Sequence, residues 1–76
     1  MPKEVFPGIT VDPAVQHGRP CLAGTRTPVV SIVGALAGGS SLEQVTLDYF
    51  VTEDQIRAAL AYVTHMLDSI HVYAAS

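Results

Sequence analysis

Three histidines and one cysteine are the first residues to test for chemistry. His17, His65, His71 and Cys21 are all types that ligate metals. Their spacings make no zinc pattern, and His65 and His71, six apart, do not share a helix face. They read as scattered surface or packing side chains, and no metal is expected. Cys21 has no cationic run beside it to lower its pKa, so a small buried apolar group is expected. Paired carboxylates in a cleft, a phosphate loop and a nucleophile elbow are all missing, and Gly18 and Gly24 form no dinucleotide fingerprint. The residues point to binding rather than catalysis, without a cofactor. The chain is not expected to be an enzyme.

Two groups of side chains are candidates for binding. Thr52, Gln55 and Arg57 stand at the start of a predicted helix. The second helix of a helix-turn-helix reads bases from its N-terminal residues. Gln55 and Arg57 are then base or phosphate contacts, with Thr52 as a phosphate donor. Against this, Glu53 and Asp54 would repel phosphates, and the plainer alternative makes Arg57 a surface charge and Gln55 a cap. The second group begins with Arg26, in Gly24-Thr25-Arg26. It could form a bidentate contact with a phosphate or an acidic partner. The turn favours an internal role, with Gly24 taking a positive φ and Arg26 bonding backbone carbonyls, Asp12 or Asp48. Tyr62 and Tyr73 flank an apolar stripe and are candidate interface anchors, whereas Phe50 is expected in the core.

The elements that must position these residues follow from capping and periodicity. Ser40 precedes Glu43 by three, and Thr52 precedes Gln55 by three, so each pair forms a capping box. Val51 and Ile56 add a hydrophobic staple, and Glu53 and Asp54 suit the positive end of the helix dipole. This predicts a second helix over 42–48, a connection at Tyr49-Phe50-Val51, and a third helix over about 53–69. Leu42, Val45 and Leu47 are assigned inward. Ile56, Ala59, Leu60, Val63, Met66, Leu67 and Ile70 form the stripe of the third helix. Arg57, Ala61, Thr64 and Asp68 lie opposite. A first helix runs from a Thr27 cap, with Pro28 at its first position, to Ala37. Val29, Ile32, Val33 and Leu36 are its buried face, and Gly38-Gly39 ends it. Ahead of it, Ile9–Val11 is a strand, Asp12-Pro13 a turn, and 19–30 a hairpin or bent strand pair around Ala23-Gly24. Residues 1–8 read as an irregular arm, 9–70 as the domain, and 71–76 as a tail. The fold class is mainly α: three helices behind a short N-terminal β element.

Seventy-six residues allow one small domain, and a chain this short buries only about 60% of its unfolded surface. Yet 49% of it is hydrophobic and 14% charged, against a usual charged share of roughly 25%. The surplus apolar surface predicts a homodimer or a tight complex. The net charge of −3, with only Lys3, Arg19, Arg26 and Arg57 basic, weighs against strong unaided DNA binding. A single cysteine suits a reducing cytoplasm. No apolar run is long enough to span a bilayer, and MPKEVFPGI lacks a signal-peptide core. A cytoplasmic, membrane-free protein is expected.

The stretches ITVDPAVQHGRPCLAGTRTPVVSIVGAL, GGSSLEQVTLDY and VTEDQIRAALAYV resemble a bacterial and archaeal family, domain of unknown function number 433. Asp12-Pro13, Gly18-Arg19-Pro20, Gly24-Thr25-Arg26, Gly39-Ser40 with Glu43, and Thr52-Glu53-Asp54 carry the resemblance, over about residues 8–67. It implies a homeodomain-like helix-turn-helix fold. It also implies the antitoxin of a type II toxin–antitoxin pair, which neutralises a PIN-like ribonuclease and represses its own operon by binding operator DNA. Arg19 or Arg26 would then reach the toxin's acidic centre. Only about ten residues follow the third helix, fewer than the toxin-wrapping tail common in antitoxins. An association module that dimerises or docks a protein without touching DNA is the alternative. A DNA-binding regulator without a toxin is a third reading.

Overall fold

The computed structural model describes the chain from residue 1 to 74, with side chains as far as Ile70. Its elements in order are β1 (Lys3–Phe6), β2 (Ile9–Val11), β3 (Cys21–Leu22), α1 (Val29–Ala37), α2 (Leu42–Tyr49) and α3 (Glu53–Ala74). This is the mainly α fold with a small β element that the sequence predicts.

The first strand is a correction, since residues 1–8 read as an irregular arm. Phe6-Pro7-Gly8-Ile9 makes a two-residue hairpin turn instead, and β1 pairs antiparallel with β2. Proline pre-sets the first turn position and Gly8, at φ +82°, supplies the second. Gly8 is needed twice over: a Cβ there would sit 3.1 Å from the Cβ of Ala58 on α3. β2 also pairs antiparallel with β3, in the order β1-β2-β3. The expected hairpin or bent strand pair over 19–30 is present in a short form: β3 runs along β2, and across the turn at Ala23-Gly24 the Leu22 N–H donates to the Thr27 carbonyl at 3.0 Å. A single bridge from Cys21 to Pro28 leads into α1. The intervening Gln16–Gly18 turn has Gln16, His17 and Gly18 all at positive φ. The Gln16 side chain ties it across to the Arg26 carbonyl at 3.2 Å.

The helix ends show which residues set them. Pro28, not Thr27, is the N-cap of α1, and no side chain caps it. The free N–H of Val29 donates to the Pro20 carbonyl instead, at 2.9 Å. At the far end Ser40 N–H donates back to the Ala35 carbonyl, with Gly39 at φ +104°. Ser40 thus belongs to the closure of α1. Ser41, one residue later, caps α2 by accepting from Gln44 N–H at 3.1 Å. The Ser40–Glu43 box is not formed. The Thr52–Gln55 box is formed in both directions, at 2.8 and 3.1 Å.

Eight apolar side chains from every layer make the core: Ile9, Leu22, Val29, Ile32, Val45, Val51, Ile56 and Ala59. Val33, Leu36, Tyr49, Tyr62 and Val63 pack around it, half-buried. Two inward assignments on α2 fail. Leu47 is two residues, about 200°, from Val45 and is 63% exposed, and Leu42 lies at the open first turn. Phe50 is not core either. It is 93% exposed and closes α2 in the left-handed conformation, at φ 56° and ψ 44°. No glycine or asparagine lies between α2 and α3, so a bulky residue takes the position that glycine would fill at lower cost. On α3 the stripe is buried only through Ile56 and Ala59. Leu60, Met66, Leu67 and Ile70 are exposed.

Two stability outcomes follow. Ile56→Ala should cost about 2–5 kcal/mol in urea unfolding, and Leu47→Ala well under half of that. Equal losses would mean that α2 and α3 present other faces to the core. Phe50→Gly should hold or raise stability, within about 1 kcal/mol, because it relieves a strained backbone and removes no packing. A loss beyond about 2 kcal/mol in the same melt would show that the ring packs against the domain.

Candidate partner-binding groove

The hydrogen bond from Val29 N–H to the Pro20 carbonyl holds Arg19-Pro20 against the first turn of α1. The second half of α3 passes alongside. Between them lies an apolar groove of about 330 Å³, lined by Arg19, Pro20, Val29, Val30, Tyr62, Val63, Met66 and Leu67. Val30 is 58% exposed and Leu67 59% exposed, so the walls are open to solvent. One wall is braced from behind: the β1–β2 hairpin stacks Phe6 edge-on against Tyr62, with ring centroids 5.6 Å apart. His65 lies against the same Phe6 ring at 5.2 Å, which makes it a packing side chain.

The structure brings Arg19 and Tyr62 together on this groove. The Tyr73 side chain lies outside the described residues. Arg26 is exposed in the loop between β3 and α1, away from the groove lining. Its expected bonds to carbonyls, Asp12 or Asp48 are not formed. The loop is held by its backbone instead, through Gln16 to the Arg26 carbonyl and Thr25 Oγ1 to the Leu22 carbonyl. The guanidinium is left over. Arg19 likewise has no carboxylate partner among the described residues.

The residues assigned to DNA form a separate cluster at the start of α3. Thr52 and Gln55 satisfy one another. Arg57 is flanked by Glu53 at 3.8 Å and Asp54 at 3.5 Å. All three residues are engaged within the chain, though Arg57 remains 72% exposed. Along α3 the cluster ends at Arg57, about 7.5 Å before the groove lining begins at Tyr62.

Cys21 is buried, and its thiol donates to the Arg19 carbonyl at 3.4 Å. Burial pushes its pKa up, and the nearby Arg19 charge offsets part of that rise. Among the described residues no three His, Cys, Asp or Glu side chains converge on a common point. No helix among them is long and apolar enough to cross a membrane.

Pro20, Val30 and Phe50 were not singled out as surface features by the sequence. Val30 belongs to a β-branched run whose every member looks like core. For Phe50 a signal existed: a helix end with no glycine or asparagine to close it.

Known proteins resemble this chain over the same region. VapB45, a candidate antitoxin of Mycobacterium tuberculosis, is 36% identical over 52 residues, covering 68% of this chain and 22% of that protein. The uncharacterized protein Rv2308 of the same organism is 32% identical over 59 residues, covering 78% of this chain and 25% of its own length. The crystal structure of Rv2018, also from M. tuberculosis, superposes with a TM-score of 0.63 at 36% identity, over 68% of this chain and 24% of that one. The chain thus spans about a quarter of the length of each relative. Residues 9–63 match the family described as "Protein of unknown function (DUF433)", and the chain belongs to that family.

Proposed function

We propose that this chain acts by binding, as the antitoxin-type partner of a PIN-like ribonuclease whose acidic, metal-binding centre it occludes. The observation that carries the reading is the state of its arginines. Arg19 and Arg26 present guanidinium groups with no carboxylate partner among the described residues, whereas Arg57 is held by two carboxylates. A guanidinium offers a planar fork of donors that matches a carboxylate, and it stays charged at any working pH. Two of them delivered to an acidic centre would replace the metal's charge and block its site. The name of the relative VapB45 supports the same reading. The role asks for no catalysis by this chain.

Autorepression is the second part of the proposal. α2 and α3 are joined by only Phe50, Val51 and Thr52, and the first turn of α3 is open to solvent. The Arg57 ion pairs are surface pairs, worth ~0–1 kcal/mol, so a phosphate could displace them. The same pairing, with net charge −3, favours the rival reading of an association module that leaves DNA alone.

One set of variants tests both parts. The chain is mixed with the PIN-like nuclease that this reading requires, and RNA cleavage is followed. Arg19→Ala and Arg26→Ala should each weaken inhibition by roughly tenfold or more, as for truncation of a desolvated charge. Arg57→Ala should leave inhibition unchanged. Full inhibition by the Arg19/Arg26 double variant would exclude the occlusion mechanism. Binding to upstream DNA should fall steeply with salt, and the salt slope should shrink by about one in Arg57→Ala. No binding at low salt would leave the association module.

A further inference from the structure

Phe50 occupies a position that costs free energy and returns none inside the chain. It closes α2 at φ 56° and ψ 44°, where glycine would be unstrained, and its ring is 93% exposed. Leu47, about one turn earlier, is 63% exposed. The two adjoin at the end of α2, on a surface that the domain leaves uncovered. A strained turn that holds an aromatic ring in water serves a contact outside the fold. Aromatic side chains make strong anchors for such contacts, since they bury a large area and have few rotors to immobilise.

The neighbouring charges decide which partner fits. Glu43 lies one turn before Leu47 on the same face of α2, and Asp48 follows it directly. Both are exposed, and neither has a cationic partner among the described residues. Glu53 and Asp54 open the next helix, with Arg57 between them as the only base. From Leu42 to Arg57 the chain thus carries four carboxylates and one guanidinium, whereas from Pro13 to Leu42 it carries no acidic side chain and both Arg19 and Arg26. The negative charge is gathered beside the apolar pair rather than spread over the surface. A phosphate backbone has the wrong sign for Glu43 and Asp48. A polypeptide whose apolar side chains are flanked by lysine or arginine matches both the pair and the charges.

We propose that the corner between α2 and α3, with Leu47 and Phe50 as anchors, docks a basic polypeptide segment of another protein. Leu47 and Phe50 are buried under the segment's apolar side chains, while Glu43 and Asp48 set its register through its cations. The site is separate from the groove beside α3 and from the free arginines. It rests on neither the nuclease nor the DNA reading, since the latter uses Thr52, Gln55 and Arg57 on the following turn.

The test is a titration of the whole chain, followed by amide NMR, with a synthetic peptide of about fifteen residues that carries leucine on one helical face and lysine on the other. The shifts should centre on Glu43, Leu47 and Phe50, and the affinity should fall several-fold from low to physiological salt. Phe50→Gly, with an unchanged circular-dichroism signal, should weaken binding by roughly tenfold or more. Glu43→Gln with Asp48→Asn removes two charges, keeps an acceptor for the Gln44 side chain, and should weaken binding several-fold. The same peptide with glutamate in place of lysine should not bind. No shift at low salt overturns the proposal, as do shifts confined to Val30 and Leu67. So does full affinity in either variant, equal binding of the glutamate peptide, or a DNA duplex that moves the Leu47 and Phe50 amides in the same way.

Discussion

The packing of Ile56 and Ala59 against Ile9, Leu22, Ile32 and Val45 is the contact on which the rest of the molecule depends. It is the place where the sheet, α1 and α2 all meet α3. The strands are two to four residues long and could not stand alone. α2 contributes a single buried residue, Val45. Each piece is stable because the first two turns of α3 lie under it. The capping box at Thr52 and the buried Val51 beside Ile56 fix where that helix begins, and so fix which of its faces enters the core.

That arrangement uses up only the start of a helix about 33 Å long. The remainder keeps an apolar seam with little of its own chain to cover it. The helix therefore carries two surfaces of different chemistry. Its N-terminal turn is polar and acid-rich, with Arg57 folded against Glu53 and Asp54. Its second half is oily and bears one charge. The free arginines lie on neither: Arg19 stands on the groove rim and Arg26 in the loop behind it.

How much of this was legible varied with the physics involved. Capping that depends on two side chains three apart was readable, so the start of α3 was placed correctly at Thr52. Capping that depends on how the previous helix closes was not: Ser40 is consumed by α1, and Ser41 takes the role expected of Ser40. Periodicity found the α3 stripe but could not say where the domain stops covering it. Burial of Ile56 and exposure of Leu67 arise from the tertiary fold, which supplies a sheet and two helices at the start of α3 and only the open groove wall of Pro20, Val29 and Val30 beside Met66 and Leu67. Phe50 looked like core because aromatic residues between helices usually are. Its exposure follows from the positive φ that the turn imposes. Arg26 was expected to hold its turn, yet Thr25 and Gln16 do that work and leave it free. Of the candidate site, Arg19 and Tyr62 were named in advance, and the apolar walls they share were not.

Amide hydrogen exchange along α3 tests the central claim that the domain rests on the first turns of this one helix. Amides near Ile56 and Ala59 should be strongly protected, while those from Met66 to Ile70 should exchange far faster. Protection that is uniform along the helix would contradict it.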